Sequence, residues 1–298
     1  MMGTGKGGAA ERGMIDHRYL SDDKLTDLLF TEGDRLERAA VDEFVRRGGM
    51  VPRLGKIVSD PYNWNEPLPA WWAAVHAVYI LGAVASEAAV LPLLRALRYA
   101  EASENDWVTE DLPSIFGKVG LPAVEGLRRI AGDETSGWYA RAIALEGLAA
   151  VTLKEPGTTE SVFRLVHERL RDGTEERMLR QAAGHVLLDF LRTECRDDLL
   201  EFGREERQVS GGDEAYRSGF TDDDVKREFK QKHLSLERYT RDWLAFYDPS
   251  AIAGRRTRWE QERLEQADKP ERAPEFELCP FASDRKRKKC CLGKAGIA

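Results

Sequence analysis

The stretch from Pro69 to Ala96, PAWWAAVHAVYILGAVASEAAVLPLLRA, constrains the fold more than any other part of the chain. Its first half is apolar all round, because His76 is the only strongly polar residue between Trp71 and Leu81. A helix that is apolar on every side must also be buried on every side. The first half therefore predicts a helix inside the protein, in which Trp71 is mostly buried.

The second half of the stretch predicts a helix of another kind. Ser86 and Glu87 are typical of a helix start, where a hydroxyl cap is followed by an acid in the first turn. The residues after them place leucines on one face and Arg95 and Arg98 on the other, so this helix should be buried on one side only. A fully buried helix followed by a half-exposed helix is the repeating unit of an α-solenoid.

Paired helical patterns continue on both sides of this stretch. The predicted pairs are 34–47 with 50–58, 70–83 with the helix that starts at 86, 107–119 with 121–130, 138–151 with 159–170, and 175–192 with 197–206. Their starts recur about every 31 to 36 residues, which is typical of helical repeats. Three first helices also share a tryptophan near the start and a glycine toward the end, where a neighbouring helix could approach closely: Trp72 and Gly82, Trp107 and Gly117, Trp138 and Gly147.

The amino-acid sequences of these helix pairs resemble HEAT and HEAT-like repeats. The first helices are rich in small residues, and second helices begin with EAAVLPLL or LPAVEGL. The resemblance covers residues 34–206 and implies an all-α fold, a right-handed α-solenoid of antiparallel HEAT-like helix pairs without a sheet. Along this solenoid the tryptophans would line one edge, either as a structural ladder between repeats or as an aromatic ridge for a peptide or for stacked bases.

Composition excludes several classes of function. The chain has 298 residues and a net charge of −7, which argues against general affinity for nucleic acid or for an anionic membrane. No apolar run reaches the roughly 20 residues that span a bilayer. Three of the four cysteines crowd the end of the chain rather than forming a spread disulfide framework. We therefore expect a cytoplasmic protein.

The end of the chain carries the most specific motif, CPFASDRKRKKCC, from Cys279 to Cys291. It resembles the SEC-C zinc motif, C-P-C-G-S-G-K-K-Y-K-K-C-C, in which four cysteines hold one zinc and the tail docks proteins. The resemblance implies Cys279, Cys290 and Cys291 as zinc ligands, but Phe281 stands where the second cysteine would be. Structural zinc requires four ligands, so the cofactor is either none or a weakly held zinc.

The same motif contains five consecutive cations, Arg285, Lys286, Arg287, Lys288 and Lys289. They predict either a solvated tail or a basic docking arm for RNA, the ribosome or an acidic partner.

These patterns divide the chain into four parts. We predict an arm without packed structure over 1–19, a HEAT-like α-solenoid over 20–210, a C-terminal helical cap over 211–268, and a linker with the SEC-C-like basic tail over 269–298. Within the cap, Thr221 to Asp224 fits a capping box. The helically spaced residues Leu236, Tyr239, Trp243 and Phe246 should pack on the last repeat. Met14 is the expected functional start of translation.

Catalytic patterns are not evident in the sequence. It contains no nucleophile with a nearby base, no H-E-x-x-H, and no Rossmann or Walker fingerprint. His76 and His185 lie in apolar helical patterns and should be core histidines. Glu110 with Asp111, and Asp222 to Asp224, lie at helix starts, where acids interact favourably with the helix dipole.

The first functional hypothesis is a non-enzymatic scaffold or adaptor that binds a protein partner. The partner would contact arginines of the second helices, Arg95, Arg98, Arg128, Arg129 and Arg171, together with the basic tail. HEAT-like helices followed by a SEC-C-like tail resemble a bacterial protein family with that arrangement. The alternative is a HEAT-repeat protein that acts on nucleic acid, such as a helical-repeat DNA glycosylase, or a HEAT-like bilin lyase subunit. The oligomeric state is left open.

Overall fold

The computed structural model describes residues 16–209, 219–232 and 234–267, and the backbone of 278–279 and 283–286. The chain divides after Asp248 into two compact units, Met1–Asp248 and Pro249–Ala298. Residues 1–15 lie outside the described residues, so the expectations for that part of the N-terminal arm and for Met14 stay predictions. The arm is predicted to extend to residue 19, but His17–Tyr19 forms a 3-10 turn whose His17 is buried, and Arg47 donates to the His17 and Arg18 carbonyls at 3.3 and 3.2 Å.

The described part of the first unit contains twelve α-helices and no strand. They are α1 (Asp22–Thr31), α2 (Arg38–Arg46), α3 (Val51–Ser59), α4 (Trp72–Val84), α5 (Glu87–Ala102), α6 (Asp106–Val119), α7 (Leu121–Gly132), α8 (Trp138–Lys154), α9 (Thr159–Arg171), α10 (Arg177–Asp189), α11 (Arg196–Val209) and α12 (Asp222–Gln231). The all-α prediction is therefore confirmed. No helix among the described residues has the length and apolarity needed to cross a membrane.

Local sequence explains where several helices begin. Asn105 caps α6, since its side chain accepts a hydrogen bond from the Val108 amide at 3.2 Å. The predicted capping box at Thr221 and Asp224 is present at the start of α12. Helix α5 does begin at Glu87, although the Ser86 side chain makes no capping hydrogen bond.

Helix α4 has the predicted burial, with one correction. Every residue from Trp72 to Gly82 is buried. Trp71, which we expect to be mostly buried, is half-buried, and it precedes the first residue of the helix. The core position belongs to Trp72, which is only 4% exposed.

The helices pack in sequence order and form two layers. In the first layer, α2, α4, α6, α8 and α10 each contact the next. The second layer contains α3, α5, α7, α9 and α11, among which α3 contacts α5, α5 contacts α7, and α9 contacts α11. Helices that follow one another in the chain, such as α4 and α5 or α9 and α10, contact each other across the layers.

Glycines allow the first-layer helices to approach closely, as the sequence indicates. A Cβ at Gly82 would lie 2.8 Å from Ile115 Cγ2 of α6. A Cβ at Gly117 would lie 3.0 Å from the Ala150 Cβ and 3.2 Å from the Ala150 carbonyl oxygen of α8. Each distance is shorter than ordinary van der Waals contact, so a larger residue would push the helices apart.

After α12 the chain turns back across the first layer; we call residues 234–248 the return segment. It contains two short 3-10 turns, Glu237–Tyr239 and Trp243–Tyr247, rather than an α-helix. Its residues contact the first-layer helices in reverse order, from α10 to α2. These contacts are hydrogen bonds or ion pairs with Asp189 of α10, Glu146 of α8, Ser114 of α6, Tyr79 of α4 and Arg38 of α2. The prediction that residues of this segment pack on the last repeat is right for Tyr239, whose hydroxyl donates to Asp189 at 2.8 Å and whose ring contacts Phe190. It is wrong for Trp243 and Phe246, which contact α4 and α6 instead.

The second unit is described by itself. It begins with α13 (Pro249–Ala267), which lies within the range 211–268 predicted to be helical. Two short strands, β1 (Leu278–Cys279) and β2 (Ser283–Lys286), form an antiparallel pair in which Leu278 lies opposite Lys286 and Cys279 opposite Ser283. Residues at the start of the SEC-C-like motif thus lie in two paired strands.

Candidate functional site

The return segment is fixed to the first layer by hydrogen bonds to α6 and α4. The Ser114 hydroxyl donates to the Arg238 carbonyl at 3.1 Å and accepts from the Arg241 amide at 2.8 Å. The Trp243 indole N–H donates to the Tyr79 carbonyl at 3.1 Å. Because these bonds involve the main chain of the segment, they hold its path as well as its side chains.

His76 belongs to this attachment and is a core histidine, as predicted. Its Nε2 lies 2.8 Å from the Gly33 carbonyl oxygen, and its Nδ1 lies 2.9 Å from the Tyr247 hydroxyl. A carbonyl oxygen only accepts, so Nε2 carries the proton of the neutral ring and Nδ1 accepts from Tyr247. The ring thus joins α4 to the end of the return segment.

A cavity of about 330 Å³ lies between α6, α8, α10 and the return segment; we call it the first-layer cavity. Its apolar walls are Trp138, Tyr139, Ala142, Ile143, Met178 and Ala182. Its polar lining is Thr109, Glu110, Glu146, Gln181, His185, Arg238 and Arg241. Apolar walls with a few converging polar groups are typical of binding pockets of this size.

Two arginines of the return segment line this cavity, and each is paired with an acid of the first layer. Arg238 Nη1 lies 2.5 Å from Glu146 Oε1 of α8. Arg241 Nη1 lies 2.7 Å from Glu110 Oε2 and 3.8 Å from Asp111 Oδ1 of α6. Burial raises the pKa of the Glu146 carboxyl, and the nearby Arg238 opposes that rise.

His185 of α10 lines the cavity, so the prediction that it is a core histidine is only partly right. Its ring makes an edge-to-face contact with the ring of Phe220, and the two ring centroids are 5.3 Å apart. Burial lowers the pKa of His185, which leaves the imidazole neutral at neutral pH. Within the described part of the chain its ring nitrogens have no hydrogen-bond partner. One donor and one acceptor therefore remain available to a ligand.

The arginines singled out in the sequence lie on the second layer and bridge its helices. Arg95 of α5 donates to Ser59 at 3.0 Å, and Arg128 of α7 donates to Ser161 at 2.8 Å. Arg98 pairs with Asp133 at 3.0 Å, and Arg171 lies 3.7 Å from Asp198. Arg129 pairs within α7, 3.6 Å from Glu125. We call the exposed members, Arg95, Arg98, Arg129 and Arg171, the arginine row.

The tryptophans form only part of the ladder expected from the sequence. Trp72 and Trp107 are in contact, with ring centroids 5.6 Å apart, and Phe246 covers both. Trp138 instead packs on Tyr139, at 5.3 Å, and its ring lines the first-layer cavity. Trp72 is therefore a buried structural ring, Trp107 contacts it but is 37% exposed, and Trp138 is at the candidate site.

The tail residues are described only in part. Cys279, Arg285 and Lys286 are described in their backbone alone, while Phe281, Arg287, Lys288, Lys289, Cys290 and Cys291 lie outside the described residues. The zinc prediction therefore stays a prediction. No group of three or more His, Cys, Asp or Glu side chains among the described residues could hold a metal ion. Cys195 is buried, and burial raises the pKa of its thiol to about 11.

Comparisons with protein-family models, with curated proteins and with solved structures found no match for this chain.

The sequence analysis missed the first-layer cavity, although one signal was available. Apart from Arg141, Glu146 is the only charged residue between Trp138 and Val151. A lone carboxylate in an apolar helix requires a partner, because an unpaired buried charge is costly. That partner, Arg238, lies 92 residues further along the chain, where no sequence pattern points to it.

Proposed function

We propose that this protein is a non-enzymatic interaction scaffold, a HEAT-like α-solenoid that binds a protein partner through its second layer and its basic tail. The observation that supports this best is the arginine row, which places four exposed cations from α5, α7 and α9 on one layer. The chain as a whole has a net charge of −7, so the row is a local exception that favours an acidic partner.

Two features favour a protein partner over the nucleic-acid alternative. Acids or a serine hydroxyl already hold the arginines in place, which offsets part of their charge. Binding to nucleic acid instead draws on strong net positive charge at the contact surface. Arg95 and Arg98 are each held by one hydrogen bond, so each keeps several N–H donors for a partner carboxylate and loses less side-chain entropy on binding.

The experiment captures partners from the native host with the immobilised full chain and maps their contacts by chemical cross-linking. The purified partner is then titrated against a variant in which the four arginines of the row are replaced by glutamine. The matched control replaces the same number of exposed cations elsewhere with glutamine, at Arg18, Lys24, Arg227 and Lys230.

We expect the row variant to weaken binding at least about tenfold, with a smaller salt dependence than the native chain, while the control retains binding. Equal binding by the two variants would overturn the assignment to the second layer. Tighter binding of a duplex DNA probe than of the captured protein would favour the nucleic-acid alternative instead.

A further inference from the structure

The first-layer cavity is a second candidate binding site, separate from the arginine row. Its walls come from α6, α8 and α10 and from the return segment, whereas the row lies on the second layer. The rings of Trp138 and Tyr139 and the side chains of Met178 and Ala182 are half-buried, so they are accessible from outside. Ala142 and Ile143 are buried behind them.

The two guanidinium groups point to the chemistry of a ligand. Both arginines use only Nη1 for their acids, at Glu146 and at Glu110. The Nε–Nη2 edge of each has no protein partner among the described residues, and that edge matches the two oxygens of a carboxylate. Arg238 and Arg241 are about half exposed, so a ligand carboxylate can approach their free edges from solvent.

The remaining lining suits an uncharged apolar group. Aromatic rings, a flexible methionine and an isoleucine surround a volume of about 330 Å³, which is at the small end of ligand sites. That space fits one large side chain rather than an extended molecule. The neutral His185 adds hydrogen-bonding capacity without adding charge, whereas the Thr109 hydroxyl already donates to the Asp106 carbonyl and accepts from Tyr139.

An apolar centre with a charged, exposed rim is the arrangement of a hot spot in a protein interface. We propose that the first-layer cavity binds a short acidic peptide segment of a partner protein, which inserts one aromatic or large aliphatic side chain and places a neighbouring carboxylate on the free edges of Arg238 and Arg241.

The test uses the full chain and fluorescein-labelled peptides of defined composition, measured by fluorescence anisotropy. The probe is Gly-Glu-Phe-Glu-Gly, compared with Gly-Glu-Ala-Glu-Gly, which lacks the anchor, and Gly-Lys-Phe-Lys-Gly, which reverses the charge. We expect saturable binding of the first peptide and at least about tenfold weaker binding of the other two, since each loses a main contact.

Variants connect the binding to the cavity. Arg241→Gln should weaken the first peptide about tenfold, because it removes one charge-assisted contact. The matched control is Arg53→Gln, an arginine of similar exposure that pairs with the exposed Asp23 away from the cavity, and it should leave binding unchanged. Ala182→Trp should abolish binding by filling the cavity. Arg238 is avoided because its removal leaves Glu146, whose side chain is 13% exposed, without its partner.

Melting curves from circular dichroism establish that each variant folds. If Ala182→Trp does not fold, Arg241→Gln alone decides the question. Equal affinities for the phenylalanine and alanine peptides, an unchanged affinity in Arg241→Gln, or the absence of saturable binding would each overturn the proposal. N-acetylphenylalanine binding as tightly as the peptide would do so too, because the occupant would then be a small molecule. None of these outcomes bears on the arginine row.

Discussion

At the scale of single residues, Glu43 shows how the fold keeps a buried carboxylate charged. Its side chain is 4% exposed and accepts hydrogen bonds from Arg46 at 2.7 Å and from Arg47 at 2.5 Å. The Arg46 hydrogen bond is the main cause that lowers the Glu43 pKa from 4.5 to about 2, against the opposing effect of burial; Arg47 lowers it further. The folded state therefore favours the charged form more strongly than the unfolded chain does.

A prediction about pH follows from that shift. A lowered pKa contributes stability above pH 4.5, and this contribution is lost as the pH falls toward about 2. In Glu43→Gln the free energy of unfolding should depend less on pH within this window, as measured by urea titrations at several pH values. Asp42→Asn, at an exposed neighbour on α2, is the control and should retain the native pH dependence. Parallel profiles for the native chain and Glu43→Gln would contradict the argument.

Two adjacent tryptophans allow a second test at this scale. Trp72 is 4% exposed and contacts the rings of Trp107 and Phe246, whereas Trp71 is half-buried outside the helix. Trp72→Ala should lower the free energy of unfolding by about 3–5 kcal/mol, the range for large-to-small changes in a core. Trp71→Ala should cost markedly less. Denaturant unfolding measures both losses in the free energy of unfolding. A larger loss for Trp71→Ala than for Trp72→Ala would contradict the assignment of Trp72 to the core.

At the scale of elements, the return segment stabilises helices that are distant in sequence. Phe246 is 8% exposed and packs on Trp72 of α4 and Trp107 of α6, with ring centroids 5.4 and 5.5 Å away. Phe246→Ala should lower stability by about 3–5 kcal/mol and reduce hydrogen-exchange protection in α4 and α6. Leu244→Ala, a half-buried position on the same segment, should have a smaller effect. Loss of protection confined to the return segment itself would refute this role.

The elements also show which features a sequence can predict. The burial of α4 follows from its composition, and the start of α12 follows from Thr221 and Asp224, because both are local properties of the chain. The return segment is different, since Tyr239, Trp243 and Phe246 have helical spacing but form 3-10 turns. Contacts with α4 and α6 override that spacing. The first-layer cavity was equally hidden, as its arginines are 92 and 131 residues from their acids.

At the scale of the first unit, the return segment should make unfolding cooperative. Stacked helix pairs contact mainly their neighbours, so long arrays can unfold in parts. Here one segment contacts α2, α4, α6, α8 and α10 together. We expect far-UV circular dichroism and tryptophan fluorescence to give the same urea midpoint for the native chain and separate midpoints for Phe246→Ala. Two midpoints in the native chain would show that the segment does not couple the helices.

The return segment also determines where the stack can bend. Because the return segment is attached to five helices of the first layer, it fixes the spacing between those helices. Bending of the stack then leaves the spacing of the first-layer helices unchanged. It increases or decreases the spacing between the second-layer helices instead. The contacts that span those gaps are Arg98 with Asp133, Arg128 with Ser161 and Arg171 with Asp198. The affinity of a partner for the arginine row would then depend on the curvature of the stack, because bending changes the spacing of the helices that carry these arginines.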